Sequence, residues 1–133
     1  MEHIENGMKI EEIFNEDKNE FIVTNIENED GKIIIFRSKK MISYKGARFR
    51  FNIQFYNGII EHISIVAAKK QENDIYEKCK DEDEVHKLWL LNNYGVPTLK
   101  EQFGYIYLFS DGKICSEYDP RSGSSEIIFI MHS

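Results

Sequence analysis

The stretch RFRFNIQFYNGIIEHISI, residues 48–65, alternates apolar and polar side chains on both sides of the pair Asn57-Gly58. A period of two is typical of strands that bury one face. An Asn-Gly pair between two such runs is a strong local signal for a hairpin, because both residues tolerate positive φ. The pattern therefore predicts a hairpin of two strands, near residues 47–55 and 59–67.

The register of this hairpin follows from its two faces, since a slip of one residue moves every side chain to the other side of the sheet. A two-residue loop would pair Phe51 with Ser64, which mixes apolar and polar faces. A three-residue loop, residues 56–58, with Gly58 in the left-handed conformation, pairs Phe51 with Ile63 and is the register we predict. It also pairs Phe55 with Ile59 and Phe49 with Ile65, and it leaves Arg48, Arg50, Asn52 and Gln54 on the other face.

Two further Asp-Gly pairs, Asp30-Gly31 and Asp111-Gly112, stand between strand-like runs and predict two more hairpins. The predicted strands lie near residues 19–27 and 32–37, near 105–110 and 113–118, and near 125–131 for the final strand. Consecutive hairpins indicate an antiparallel sheet.

The segment DEDEVHKLWLLNNYGVP, residues 81–97, predicts the main helix, near residues 82–94. Asp81 suits the N-cap and Glu84 follows it at capping-box spacing. Gly95 suits the left-handed residue after the last turn, and Pro97 prevents continuation. The apolar residues cover a wide face, which predicts packing on the sheet and burial of Trp89; they are Val85, Leu88, Trp89, Leu90 and Leu91.

The sequence thus predicts an α+β fold, an antiparallel sheet built from hairpins with one main helix packed on it. The length of 133 residues indicates a single domain, residues 1–133. The segment MKIEEIF, residues 8–14, fits neither the helical nor the strand period cleanly, and of a helix and a strand we favour a short N-terminal helix. No apolar run approaches the ~20 residues that span a bilayer, and two cysteines without a CxxC pair favour reduced thiols. We expect a cytoplasmic protein with no membrane association.

The charges are segregated along the chain. The formal net charge of -6 disfavours nucleic acid as a partner, because phosphate binding relies on clustered Lys and Arg. Basic residues concentrate in residues 37–50, and acidic ones between Glu72 and Glu84. Such asymmetry can steer a charged partner. We therefore expect a protein partner with a basic surface, although a solvated loop and a helix cap also account for the acids; the predicted partner-binding residues are Glu72, Asp74, Glu77, Glu82 and Asp83.

An enzyme or ligand carrier is the alternative. It would need a pocket between helix and sheet, for which the candidate residues are Tyr105, Tyr107, Tyr118 and His86. The sequence carries no nucleophile-elbow, zinc-protease, P-loop or dinucleotide motif. His86 lies one position off the apolar stripe without a partner at metal-ligand spacing. We expect no catalytic residue, metal or cofactor.

Two stretches, YKGARFRFNIQFYNGIIEHISI and YGVPTLKEQFGYIYLFSDGKI, resemble small bacterial α+β proteins found among the immunity proteins of polymorphic toxin systems. In those proteins a helix that ends in Gly-x-Pro leads into a Tyr-rich hairpin. The resemblance covers about half of the chain. It implies tight binding to a toxin rather than catalysis, and it transfers no individual site residue.

Overall fold

The computed structural model describes residues 21–131, which form nine strands, one α-helix and a short 3-10 helix. The predicted helix at residues 8–14 lies outside the described residues. The strands are β1 (Phe21–Asn28), β2 (Gly31–Ser38), β3 (Ile42–Tyr44), β4 (Ala47–Tyr56), β5 (Ile59–Ala67), β6 (Leu99–Glu101), β7 (Gly104–Phe109), β8 (Gly112–Asp119) and β9 (Ser124–Met131), and the helices are the 3-10 helix (Asp74–Tyr76) and α1 (Glu82–Tyr94).

All the strands belong to one antiparallel sheet in the order β1-β2-β4-β5-β9-β8-β7-β6, with β3 paired to β4. The three predicted hairpins are present as β1-β2, β4-β5 and β7-β8, and the final predicted strand is β9. The fold is therefore of the α+β kind and dominated by its sheet.

The predicted register of the middle hairpin is wrong. The loop between β4 and β5 contains only Asn57 and Gly58, and Phe51 lies opposite Ile65 rather than Ile63. The register shifts next to Gln54 and Phe55, where Glu61 is an extra residue in β5. This β-bulge moves the pairing by one residue and so keeps apolar side chains on one face with a shorter loop.

The loops of the other two hairpins lie one residue earlier than their Asp-Gly pairs suggested. Gly31 and Gly112 each begin a strand, where they pair with Asn28 and Phe109. Asn28 accepts hydrogen bonds from the backbone N–H groups of Asp30 and Gly31 through its Oδ1, at 2.9 and 3.1 Å. The side chain of Asn28 thus stabilises the first turn.

Gly58 has a φ of 80°, which confirms the predicted left-handed conformation. We expect Gly58→Ala to lower the free energy of unfolding by about 1 kcal/mol, because alanine is strained at positive φ. A Cβ at this position would meet no atom within 4 Å, so crowding contributes nothing. The control is Gly58→Asn, since asparagine tolerates this conformation. Equal losses for the two variants in urea denaturation would contradict the backbone explanation.

The predicted helix is confirmed as α1, with both of its ends as expected. The Oδ1 atom of Asp81 accepts from the N–H of Glu84 at 2.9 Å, and the Oε2 atom of Glu84 accepts from the N–H of Lys80 at 2.8 Å. Gly95 has a φ of 77° and donates its N–H to the carbonyl of Leu91. In residues 21–131 no helix has the length and apolar character needed to cross a membrane.

The core lies between α1 and one face of the sheet, and α1 contacts β5, β8 and β9. Trp89 is fully buried, as predicted, and its ring lies 5.0 Å from that of Phe49. No helix within residues 21–131 covers the opposite face, which we call the open face. In the central strands it carries half-buried polar side chains, which include Asn52, Gln54, His62 and Ser64.

Candidate functional site

A chain of buried polar side chains connects α1 to the sheet. His86, on α1, is fully buried, and its Nε2 atom accepts a hydrogen bond from the backbone N–H of Ala67 at 2.9 Å. Its Nδ1 atom lies 2.8 Å from the Oγ atom of Ser125. Ser125 in turn donates to the Oδ1 atom of Asp83 at 3.1 Å, and Asp83 forms an ion pair with Lys87 at 2.8 Å.

These contacts determine where the protons are. Because Nε2 of His86 accepts from an amide N–H, that nitrogen is unprotonated, and in the neutral ring the proton is on Nδ1. Nδ1 then donates to Ser125, which donates to the carboxylate of Asp83. Burial lowers the pKa of His86 from 6.5 to about 4, although the carboxylates of Asp83 and Asp81 act in the opposite direction. His86 is therefore neutral at pH 7.

The residue types are those of a catalytic triad, but the hydrogen bonds run in the other direction. A histidine base must accept the proton of the serine hydroxyl, whereas Ser125 gives its proton to Asp83. The other ring nitrogen of His86 is occupied by the N–H of Ala67. This chain of hydrogen bonds connects α1 to the sheet, and it leaves neither ring nitrogen of His86 available to a substrate.

The predicted partner-binding residues do not all reach the surface. Glu72, Asp74 and Glu77 are exposed, and Glu82 is half-buried. Asp83 is buried with 8% of its surface accessible, and its carboxylate is engaged by Ser125 and Lys87. Asp83 is therefore not a candidate for direct partner contact, which corrects the prediction for that residue.

Two exposed aliphatic side chains belong to the same segment of the chain as the remaining acids. Ile75, in the 3-10 helix, is 51% exposed, and Leu91, on α1, is 40% exposed. Tyr76, in the 3-10 helix, is buried in the same hydrophobic core as Val85 and Leu90 of α1, so the 3-10 helix packs beside α1. Glu84 lies on the same side because seven residues separate it from Leu91.

We call this region the acidic surface and define it by Asp74, Ile75, Glu77, Glu84 and Leu91. Glu72 lies just before the 3-10 helix in the chain, and its Oε1 atom is 3.6 Å from the guanidinium of Arg48. That contact is exposed and weak, so it leaves most of the negative field of Glu72 available.

A cleft of about 800 Å³ lies beside the beginning of α1. Its walls carry charges of both signs, including Lys69, Lys80 and Glu82, and the thiol of Cys79. Burial raises the pKa of Cys79, and the nearby carboxylates of Glu84 and Asp81 raise it further. The thiol is therefore protonated at pH 7, which makes it a poor nucleophile.

The residues proposed for a pocket between helix and sheet do not come together. None of the four lines the cleft beside α1. Tyr107 donates its hydroxyl to the carbonyl of Gly95 at 2.8 Å, and burial raises its pKa to about 12. Tyr105 lies under the ammonium groups of Lys87 and Lys100, at 5.7 and 5.4 Å from the ring centre. Tyr105 and Tyr107 are therefore held by different contacts.

Fold and site together describe an α+β protein with one closed polar network and one acidic surface that contains exposed apolar residues. Within the part of the chain that the structure describes, no group of three or more His, Cys, Asp or Glu side chains could hold a metal ion. Comparison with family models, curated proteins and solved structures finds no match for this chain.

Proposed function

We propose that the chain is a non-catalytic protein-binding protein of the immunity type, which inhibits a toxin with a basic surface by binding it through the acidic surface. The observation that supports this proposal is that one segment, residues 74–91, exposes two aliphatic side chains, Ile75 and Leu91, together with the carboxylates of Asp74, Glu77 and Glu84.

The two kinds of side chain would contribute differently to binding. Apolar residues that become fully desolvated at the centre of an interface account for most of the affinity. Charges around them mainly accelerate encounter and select the partner, and their effect falls as salt is added. Exposed aliphatic residues accompanied by carboxylates therefore fit a partner that carries an apolar patch and cationic side chains.

The closed polar network supports binding rather than catalysis in a specific way. His86 and Ser125 are the buried groups whose chemistry most resembles an active site, and both are committed to hydrogen bonds that connect α1 to the sheet. The same connection holds the beginning of α1 in place. It would thereby present Glu84 in a fixed orientation, which reduces the entropy that binding costs.

We expect Asp74→Lys with Glu77→Lys to weaken capture of a basic partner from the native host, most strongly at low salt, where charges are least screened. Asp81 and Glu84 stay unchanged so that the helix cap is preserved. The matched control is Glu29→Lys with Glu101→Lys, which makes the same charge change at two exposed residues elsewhere. The measurement is quantitative mass spectrometry of the captured proteins at low and high salt.

A second variant tests the apolar part of the acidic surface. Ile75→Ser should reduce capture at high salt as well, because burial of apolar area is not screened. Ile59→Ser is the control, since Ile59 is 63% exposed and lies at the β4-β5 loop. Equal capture by the original chain and by both acidic-surface variants at both salt concentrations would refute the proposed function.

A further inference from the structure

The two outer strands of the sheet differ in how well they are protected against pairing with another strand. β6 is only three residues long and carries the charges of Lys100 and Glu101. β1 is eight residues long, and its first six residues, FIVTNI, contain neither a charge nor a proline. Short or charged strands discourage addition of another strand, whereas a long uncharged edge invites it.

β1 also exposes apolar side chains on the open face. Ile22 and Ile26 are 54% and 45% exposed, and Thr24 lies between them on the same face. Ile33 and Ile35 of β2 lie opposite Ile26 and Thr24, so they extend the apolar area inward from the edge. Within residues 21–131 no strand lies on the outer side of β1.

The spacing of these residues is self-complementary. In an antiparallel pair of β1 strands related by a twofold axis perpendicular to the sheet at Thr24, Ile22 of each copy lies opposite Ile26 of the other. The open faces of the two copies then lie on the same side of the joined sheet. The two Ile-Ile pairs flank a central Thr-Thr pair. Glu27 lies opposite Phe21, so no like charges meet. Cross-strand aliphatic pairs of this kind stabilise antiparallel sheets.

We propose that two copies of this chain associate through β1 in this register, forming a continuous sheet across the twofold axis. The surface is distinct from the acidic surface, which lies on the 3-10 helix and α1. The contact is small compared with a standard interface, so the dimer is expected to be weak, on the order of micromolar. The association leaves the acidic surface of each copy free.

Sedimentation velocity of the full chain, from low to high micromolar concentration, tests the proposal. The mass should approach twice that of the monomer as concentration rises. Ile22→Lys with Ile26→Lys should remain monomeric, because edge lysines oppose strand addition. The control Ile59→Lys places the same charge at an exposed isoleucine outside β1 and should still dimerise. A monomer at every concentration would overturn the proposal, since the edge would then be covered or unused.

Cross-linking tests the register independently, in a chain that carries Cys79→Ala. Thr24→Cys should form a disulfide-linked dimer under mild oxidation, because the two Cα atoms meet at the twofold axis within disulfide range. Glu27→Cys should not, since the two copies of residue 27 would be roughly 20 Å apart along the strands at about 3.3 Å per residue. Equal cross-linking of both variants would overturn the proposed register.

Discussion

Trp89→Ala is expected to lower the free energy of unfolding by about 3–5 kcal/mol, the usual cost of removing a large aromatic side chain from a core. Trp89 is fully buried between α1 and the sheet. Its ring makes an edge contact with Phe49 at 5.0 Å and lies 5.9 Å from the rings of Tyr44 and Tyr94. Its Nε1 atom also donates to the carbonyl of Lys45 at 3.1 Å.

Urea denaturation of the variant at pH 7 measures this loss. Val96→Ala is the matched control, because Val96 is 88% exposed and should change the free energy of unfolding by less than about 0.5 kcal/mol. Tryptophan fluorescence of the original chain should shift to the red on unfolding, since the single Trp89 moves into water. A denaturation midpoint for Trp89→Ala equal to that of the original chain would contradict the burial.

His86→Leu is expected to lower the free energy of unfolding by about 2–4 kcal/mol at pH 7, because leucine cannot accept from the N–H of Ala67 or donate to Ser125. Both groups are buried and would lose a hydrogen-bond partner. His86→Gln should cost less, since an amide can both accept and donate. Equal costs for the two variants would show that packing, rather than hydrogen bonding, is what His86 contributes.

The pH dependence of stability provides a separate test of His86. Because its pKa falls from 6.5 to about 4 on folding, the unfolded chain binds the proton more readily. The contribution of neutral His86 to the free energy of unfolding is therefore complete above pH 6.5, and it is lost as the pH falls towards 4. The total loss in the free energy of unfolding is about 3 kcal/mol, at 1.36 kcal/mol for each pH unit.

The loss attributed to His86 is measured as a difference between variants, since carboxylates also titrate in this range. The free energy of unfolding of the original chain should approach that of His86→Leu as the pH falls from 6.5 to 4. Val96→Ala, which removes no titratable group, is the control and should run parallel to the original chain. Parallel pH curves for the original chain and His86→Leu would contradict a buried, neutral His86.

The local signals in the sequence predicted most of the elements, because hairpin turns and helix caps depend on residues close together in the chain. Asp81 and Gly95 located both ends of α1, and Asn57-Gly58 located the β4-β5 turn. The register was missed because a three-residue loop and a two-residue loop with a bulge at Glu61 both keep the phenylalanines of β4 on one face. The alternation of side chains does not distinguish them.

The position of Asp83 could have been predicted, and that of Ser125 could not. Asp83, His86 and Leu90 stand at i, i+3 and i+7, so they share one side of a helix, and the apolar Leu90 indicates that this side is buried. The capping pattern favours every acid in the first turn of α1 and does not distinguish Asp83 from the others. Ser125 lies 39 residues after His86, and no local rule connects the two.

Hydrogen-deuterium exchange of the chain, alone and in complex with the partner captured from the native host, tests whether the acidic surface binds the partner. We expect slower exchange on binding in the peptides that contain Asp74, Ile75 and Glu77, and in those from the exposed side of α1 around Leu91. Protection confined to the open face, at Arg48, Arg50 and His62, with unchanged exchange in residues 72–92, would contradict binding through the acidic surface.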